Sequence, residues 1–196
     1  MKTTDVAVIG GGLVGLATAL RLSETTLDVT LIDKGPFGEE ASMAGAGMLT
    51  AQTFVSPLDP GTPSFALEHA HFYGSHQARD LYPVFVAKVE AMSGIEVPLE
   101  LNGILTAAAN ATELKDLEAQ VKWQTDQGLK ARMLTPDDME SDFPGVASMG
   151  GAHFEQDGWV DNQALVAALR EAVKGAGVTV LENCPVAPLQ VSGGEV

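Results

Sequence analysis

A glycine-rich stretch near the start of the chain has the spacing of a phosphate-binding turn. Residues 10–15 read Gly-Gly-Gly-Leu-Val-Gly and fit the pattern G-x-G-x-x-G. The pattern alone is weak evidence, but here it follows the apolar run 6–9 and opens the apolar stretch 13–22. A strand buried on both faces that leads through the glycines into a helix is the context in which this pattern binds a dinucleotide. The uncharged residues 6–20 are too few to cross a bilayer, and the three consecutive glycines within them argue against a signal peptide.

Glycine is required at three of these positions for physical reasons. Gly10 allows the tight turn, Gly12 lets the backbone approach a pyrophosphate, and Gly15 lets the helix pack closely on the strand. The amide N–H groups of Leu13 and Val14 then point toward the phosphates from the positive end of the helix dipole. The sequence therefore predicts an anion-binding turn at the start of the first helix.

An acidic residue at the end of the second predicted strand complements this turn. Residues 28–33 read Asp-Val-Thr-Leu-Ile-Asp, and Asp33 lies 18 residues after Gly15. A carboxylate in this position accepts hydrogen bonds from both ribose hydroxyls of an adenosine. A 2′-phosphate would meet a like charge there, so NADP is disfavoured, whereas NAD and FAD both remain open.

The segment that follows is rich in small residues and favours the longer cofactor. Residues 39–49 read Glu-Glu-Ala-Ser-Met-Ala-Gly-Ala-Gly-Met-Leu. Small residues let the backbone lie against a flat ligand, and Ser42 can offer a hydroxyl to a phosphate. A nicotinamide-type fold usually continues promptly to a third parallel strand, and this chain does not, so FAD is the predicted cofactor. A flexible linker is the alternative, although alanines ending in Met-Leu argue against a solvated one.

Hydrophobic periodicity and capping residues predict the remaining elements. One long helix is predicted over 63–92, and Pro83 should kink or interrupt it. Three further helices are predicted to begin at the caps Asn110, Thr135 and Asp161, and the last of them to end at Gly175. The predicted strands are a pair around Asn102-Gly103 and the runs 151–155, 178–181 and 186–191, with a Gly193-Gly194 hairpin turn after the last.

Composition excludes several classes of protein. Lys and Arg number 11 against 26 Asp and Glu, so the net charge of −15 makes nucleic acid and membrane surfaces poor partners. The single cysteine, Cys184, cannot form an internal disulfide, which favours a reducing compartment and a cytoplasmic location. The histidines at 69, 71 and 76 do not share one helix face and no second cluster completes a tetrahedral set, so no metal site is predicted.

Residues 8–19, Asp33 and 41–49 together resemble the D-amino-acid-oxidase-like flavoenzymes, and among them the glycine oxidases of thiamine synthesis. Weaker agreement comes from 81–83, 92–95, 102–105 and 158–161, so that the resemblance covers nearly the whole chain. The resemblance implies roles for individual residues. It places Leu13 and Val14 on the pyrophosphate, Asp33 and Lys34 at the adenosine ribose, Ala41 and Ser42 on the phosphate side, Ala46, Gly47 and Met48 along the flavin, and the backbone of Val186 at the adenine.

The resemblance also implies a fold and a division into domains. The fold class is α/β, a Rossmann-like FAD-binding domain of the two-dinucleotide-binding type with the start of an inserted α+β substrate domain, incomplete at its C-terminus. On this interpretation 1–84 and 160–196 belong to the FAD-binding domain, and 85–159 belong to the substrate domain.

The implied activity is oxidation of glycine or another small amino acid or amine. A hydride passes from the substrate α-carbon to the flavin, and dioxygen reoxidises the flavin and yields hydrogen peroxide. This chemistry depends on positioning more than on a side-chain base, so no catalytic residue is assigned.

The segments that would supply the substrate arginine and a second flavin contact are absent from these 196 residues. We therefore expect the chain alone to retain flavin weakly and to release no peroxide. The alternative is a non-catalytic, half-length module that pairs with a partner chain carrying the missing half. A homo-oligomer also stays open.

Overall fold

The computed structural model describes residues 3–188, which form two compact units. Within the described residues, the first unit comprises 3–47, 84–98 and 161–188, and the second comprises 48–83 and 99–160. The sequence-based boundaries differ from this division, because 48–83 groups with the second unit and 84–98 with the first. The assignment of cofactor and substrate roles to the units remains a prediction.

Nine strands and six helices are present in the described residues. The strands are β1 Val6–Ile9, β2 Val29–Ile32, β3 Met48–Leu49, β4 Leu99–Glu100, β5 Ile104–Ala107, β6 Ala131–Leu134, β7 Gly151–Phe154, β8 Gly158–Val160 and β9 Thr179–Leu181. The helices are α1 Leu13–Leu22, α2 Ala41–Ala44, α3 Phe65–Ser93, α4 Ala111–Asp126, α5 Pro136–Asp142 and α6 Asn162–Gly175. None of these six helices combines the length and the apolar character needed to cross a membrane.

The first unit is built on a parallel sheet in the order β1-β2-β9. Helix α1 connects β1 to β2 and packs against both strands and against α6, which buries Leu16, Leu20 and Leu169. The prediction that β1 is buried on both faces is wrong. Its residues alternate, and Ile9 is 54% exposed, because one face of this edge strand is left open among the described residues.

The second unit contains two small antiparallel sheets, in the orders β3-β8-β4 and β5-β7-β6. The predicted strand pair around Asn102-Gly103 is wrong, because β4 pairs with β8 and β5 pairs with β7. The chain therefore runs on past Gly103 in one direction, alongside the whole of 151–160. Gly103 has a φ of +97°, a Cβ there would collide with the imidazole of His153, and its amide donates to the Asp157 carbonyl at 2.9 Å. Gly103 is therefore needed at the irregular point between β4 and β5, where the chain continues along its partner strands, and does not form a hairpin turn.

The predicted helix starts are confirmed. The Asn110 side chain accepts from two first-turn amides of α4, Thr135 forms a capping box with Asp138, and Asp161 caps α6. The predicted end of α6 at Gly175 is confirmed, and the positive φ that follows the helix falls at Gly177.

Two further predictions are corrected in the described residues. Helix α3 runs through Pro83 without interruption, although the boundary between the two units falls directly after this proline. Residues 186–188 form no regular strand. The remainder of the predicted strand and the Gly193-Gly194 turn lie outside the described residues.

Two glycines in helices test how closely α1 packs on the sheet. A Cβ at Gly15 would collide with the Gly10 carbonyl, whereas a Cβ at Gly74 in α3 would meet nothing within 4 Å. We expect Gly15→Ala to lower the free energy of unfolding by about 1–3 kcal/mol through overpacking. Gly74→Ala should raise it by about 0.5–1 kcal/mol through helix propensity. Urea denaturation of the two variants measures both, and equal effects would contradict the close strand–helix packing.

Candidate functional site

The glycine turn brings the end of β1 to the start of α1 through a conformation that only glycine adopts readily. Gly10 has a φ of +107°, and its amide donates to the Ile32 carbonyl at 2.8 Å, which ties the turn to the end of β2. Gly12 precedes the helix in an extended conformation. The first turn of α1 carries no acidic side chain, so no negative charge within this turn offsets the positive end of the helix dipole.

A serine distant in the sequence takes the place of a local helix cap. No side chain at Gly12 caps α1, and the amide of Leu13 instead donates to Ser42 Oγ at 2.9 Å. A Cβ built on Gly12 would stand 2.9 Å from the same Oγ. Asn162, which the sequence did not single out, donates from Nδ2 to the Ser42 carbonyl at 2.6 Å and holds α2 in place. The hydroxyl therefore satisfies one of the first amides of α1 in place of a local cap.

The Asp33 carboxylate is held by two backbone amides. Gly11 N donates to Oδ2 at 2.6 Å and Gly35 N donates to Oδ1 at 2.9 Å. These hydrogen bonds, that of Gly35 first and that of Gly11 second, hold the pKa of Asp33 below its ordinary value. A carboxylate offers about four acceptor positions, so these two hydrogen bonds do not exhaust the capacity of this half-buried group. Asp33 is therefore ionised at neutral pH and able to accept from two ribose hydroxyls.

The backbone of Asp33 anchors the last described segment. Its amide donates to the Leu181 carbonyl at 3.0 Å, and its carbonyl accepts from Cys184 N at 2.8 Å. Glu182 in this segment accepts from the Phe37 amide at 2.8 Å. The Phe37 ring lies where a Cβ on Gly11 would stand, so glycine is required at this position as well.

The predicted residues fall into two groups. The structure brings together Gly10, Gly12, Leu13, Val14, Gly15, Asp33 and Ser42 at the start of α1 and the end of β2, with Ala41 beside Ser42 on α2. Lys34 follows Asp33 directly, and its backbone and charge add to the lowering of the Asp33 pKa. In the described residues no side-chain hydrogen bond joins Ala46, Gly47, Met48 or Val186 to this group.

The outlying residues have other surroundings. Lys34 is exposed and pairs with Glu40 at 2.9 Å, and this pairing raises the pKa of the lysine. Gly47 has a φ of +71°, and Met48 pairs with Trp159 across β3 and β8. Val186 is 42% exposed. The roles of these residues toward a cofactor remain predictions.

The sequence from residue 5 to residue 196 matches the protein family described as FAD dependent oxidoreductase (DAO). The chain therefore belongs to this family, and the family and α/β fold class predicted from the sequence are confirmed.

Two groups of known proteins are similar to this chain. It is 32% identical over 185 residues to the glycine oxidase of Geobacillus kaustophilus (strain HTA426), covering 93% of this chain and 46% of that protein. It is 31% identical to the bifunctional protein ThiO/ThiG of Synechocystis sp. (strain ATCC 27184 / PCC 6803 / Kazusa), covering 99% of this chain and 27% of that protein.

Solved structures agree with this family. The crystal structure of glycine oxidase from Geobacillus kaustophilus superimposes with a TM-score of 0.80 at 30% identity, over 92% of this chain and 46% of that one. Glycine oxidase from Bacillus cereus ATCC 14579 gives 0.81 at 25% identity, over 97% and 49%. The chain thus spans about half the length of the glycine oxidases it matches.

The lowered pKa of Asp33 makes the stability of the first unit depend on pH. The ionised carboxylate is favoured in the folded chain, so its stabilisation is present above its ordinary pKa of 3.8 and is lost as the pH falls through the lower folded value. We expect Asp33→Asn to reduce the free energy of unfolding at pH 6 and to lose this effect at acid pH. Asp126→Asn, which removes an exposed pair with Lys122, is the control and should change stability by at most about 0.5 kcal/mol. Urea denaturation across pH 2–7 checks this, and a pH-independent difference for Asp33→Asn would contradict it.

Proposed function

We propose that this chain binds the ADP part of FAD in an oxidase that acts on glycine or another small amino acid or amine. One observation carries the proposal. The hydrogen bond from Gly11 to Asp33 places a carboxylate with free acceptor positions beside the amide end of α1. This arrangement supports a site within one unit in which the carboxylate would accept from ribose hydroxyls and the helix amides would donate to a pyrophosphate.

The residues present fit the cofactor in chemistry and in space. A Cβ at Gly12 would stand 2.9 Å from Ser42 Oγ, so glycine keeps the backbone open beside the hydroxyl that now accepts from Leu13. The amides of Leu13 and Val14 belong to the first turn of α1, where no carbonyl within the helix can accept from them. We assign these two amides and Ser42 to the pyrophosphate and Asp33 to the ribose, with Lys34 and Ala41 beside them.

The remaining assignments rest on the family resemblance. Ala46, Gly47 and Met48 would line the flavin, and the backbone of Val186 would meet the adenine. A bound FAD would supply the acceptor for a hydride from the substrate α-carbon, and its reoxidation by dioxygen would give hydrogen peroxide. The contribution of this chain is binding and orientation, and none of its side chains is assigned as an acid or base.

A second candidate is a non-catalytic module that pairs with another polypeptide. The position of β1 at the edge of its sheet in the described residues favours it, because an edge strand presents backbone groups that can pair with another chain, and Ile9 beside this edge is 54% exposed. Sedimentation of the purified chain distinguishes the candidates. A stable self-association or co-purifying chain without affinity for ADP or FAD supports the module, and a monomer that binds both ligands supports the cofactor site.

The pyrophosphate assignment predicts the effect of filling the glycine turn. Gly12→Val places methyl groups in the space next to Ser42 Oγ and should abolish binding of ADP and FAD while the chain remains folded. Gly74→Val adds the same atoms to an open helix position and should leave the affinities unchanged. Isothermal titration with circular dichroism measures both, and an unchanged ADP affinity in Gly12→Val would show the turn to be structural only.

The ribose assignment predicts a graded series at Asp33. Hydrogen bonds to a charged group contribute about 1.5–3 kcal/mol each, so Asp33→Ala should weaken ADP by roughly tenfold to a hundredfold. Asp33→Glu keeps two acceptor oxygens and should be milder. Equal ADP affinities for the wild type and both variants would remove the ribose role.

A further inference from the structure

A second carboxylate, in the other unit, is enclosed by one short segment of backbone. Asp157 precedes β8 and is completely buried. Its oxygens accept from the amides of Ala51 at 3.0 Å, Gln52 at 3.1 and 3.0 Å, and Thr53 at 2.8 Å, and from Thr53 Oγ1 at 2.7 Å. Three consecutive amides that converge on one anion form a nest, here built around a side chain of the same chain.

The charge of Asp157 is compensated by an arginine that is also buried. Arg79 on α3 is 3% exposed, and its Nη1 lies 3.5 Å from Asp157 Oδ1 as an ion pair. Arg79 Nε and Nη2 donate to Asp80 Oδ1 at 3.1 and 2.8 Å, while Nη1 has no hydrogen-bond partner in the described residues. The arginine therefore offers Asp157 charge, which it shares with Asp80, and the 51–53 segment supplies the hydrogen bonds. Removal of a charge from such a buried pair is costly, which makes the carboxylate a strong constraint on the backbone around it.

The same segment is held by amide side chains from α4. The Gln52 carbonyl accepts from Gln120 Nε2 at 3.1 Å and from Gln124 Nε2 at 2.9 Å. The Gln52 side chain donates to Gln124 Oε1 at 3.1 Å and accepts from Gln156 N at 3.2 Å. The 51–53 backbone is therefore fixed by directional hydrogen bonds, which define its position more narrowly than apolar contacts would.

Asp157 also lies directly before the strand that holds β3. Met48 pairs with Trp159 and Leu49 with Gly158, and a Cβ on Gly158 would collide with the Glu100 carbonyl of β4. One turn therefore controls both ends of 48–53. Strand β8, which follows this turn, pairs with residues 48–49, and the carboxylate of Asp157 in the turn accepts from the amides of 51–53.

We propose that Asp157 is a positioning residue for the flavin ring, acting through the 48–53 segment that it anchors. The proposal rests on the proposed function, in which Ala46, Gly47 and Met48 line the flavin. Asp157 itself reaches no ligand, because it is fully buried and four donor groups occupy its acceptor positions. Substitution of Asp157 should therefore change the affinity that the flavin part contributes to FAD binding and leave the affinity for ADP unchanged.

The test compares ADP and FAD on the same protein. We expect the wild-type chain to bind FAD more tightly than ADP in isothermal titrations extended to millimolar ligand. Asp157→Asn should leave the ADP dissociation constant unchanged and weaken FAD at least about tenfold, toward the ADP value, because an amide group opposes N–H donors with its own. Asp142→Asn removes an exposed aspartate that is also near an arginine and should leave both constants unchanged.

A second pair of variants covers the case in which Asp157→Asn does not fold. Thr53→Val removes only the hydroxyl bond to Asp157 and keeps the shape of the side chain, so FAD should weaken by a smaller factor at constant ADP affinity. Thr53→Ser keeps the hydroxyl and should restore the wild-type ratio. Hydrogen exchange at the amides of 51–53 should rise in Thr53→Val and not in Thr53→Ser.

The outcomes separate the two proposals. If the wild type binds neither ADP nor FAD, the proposed function fails and this inference fails with it. If both ligands bind, the inference alone is overturned by equal wild-type affinities or by a FAD-to-ADP ratio that the folded variants leave unchanged. A ratio that Asp142→Asn lowers as much as Asp157→Asn overturns it as well.

Discussion

The hydrogen bond between the Gly11 amide and the Asp33 carboxylate is the interaction on which the candidate site depends. At 2.6 Å it joins the turn after β1 to the end of β2, two points that the chain visits 22 residues apart. Parallel strands end at the same edge of a sheet, and this bond uses that fact to place an anionic acceptor beside the helix start. The bond requires glycine at 11, since the Phe37 ring fills the side-chain position there. Asp33 in turn ties down 181–184 through its backbone.

The sequence predicts the parts of the fold that neighbouring residues determine. The limits of α1 and the caps Asn110 and Thr135 depend on side chains within one helical turn, so their spacing in the sequence is enough. The pairing of β4 and β5 depends on residues far along the chain. Asn102-Gly103 suits a hairpin equally well, and the pairing of β4 with β8 and of β5 with β7 shows that the chain continues in one direction. The prediction that β1 is buried on both faces is wrong for a similar reason. An apolar run does not indicate whether other elements pack on one face of the strand or on both.

The candidate site shows the same division. The positions of Gly12 and Asp33 relative to the first two strands indicate a dinucleotide site from the sequence alone. Asn162 and Gln52 belong to no such pattern, and their roles follow only from the hydrogen bonds in the structure. Ser42 was predicted to offer a hydroxyl to phosphate, and the structure adds that this hydroxyl accepts from Leu13 in place of a helix cap. Asp157 lies in Gln-Asp-Gly, which is ordinary turn chemistry. Its burial follows from contacts with 51–53, about a hundred residues away, and no local pattern signals such a contact.

Two aspartates thus use one device with opposite consequences. Each lies at the end or the start of a strand and accepts at least one backbone amide from a distant segment, Gly11 for Asp33 and 51–53 for Asp157, which fixes that segment by hydrogen bonding. Asp33 accepts two amides and stays half-buried, so it keeps acceptor positions for a ligand. Asp157 accepts from four donor groups and is excluded from solvent, so its capacity is exhausted by the protein. Counting the donors at a carboxylate therefore separates a group that can bind from one that can only position. The number of donor groups around each carboxylate distinguishes the two residues, since each has a glycine close after it in the sequence and the local pattern does not separate them.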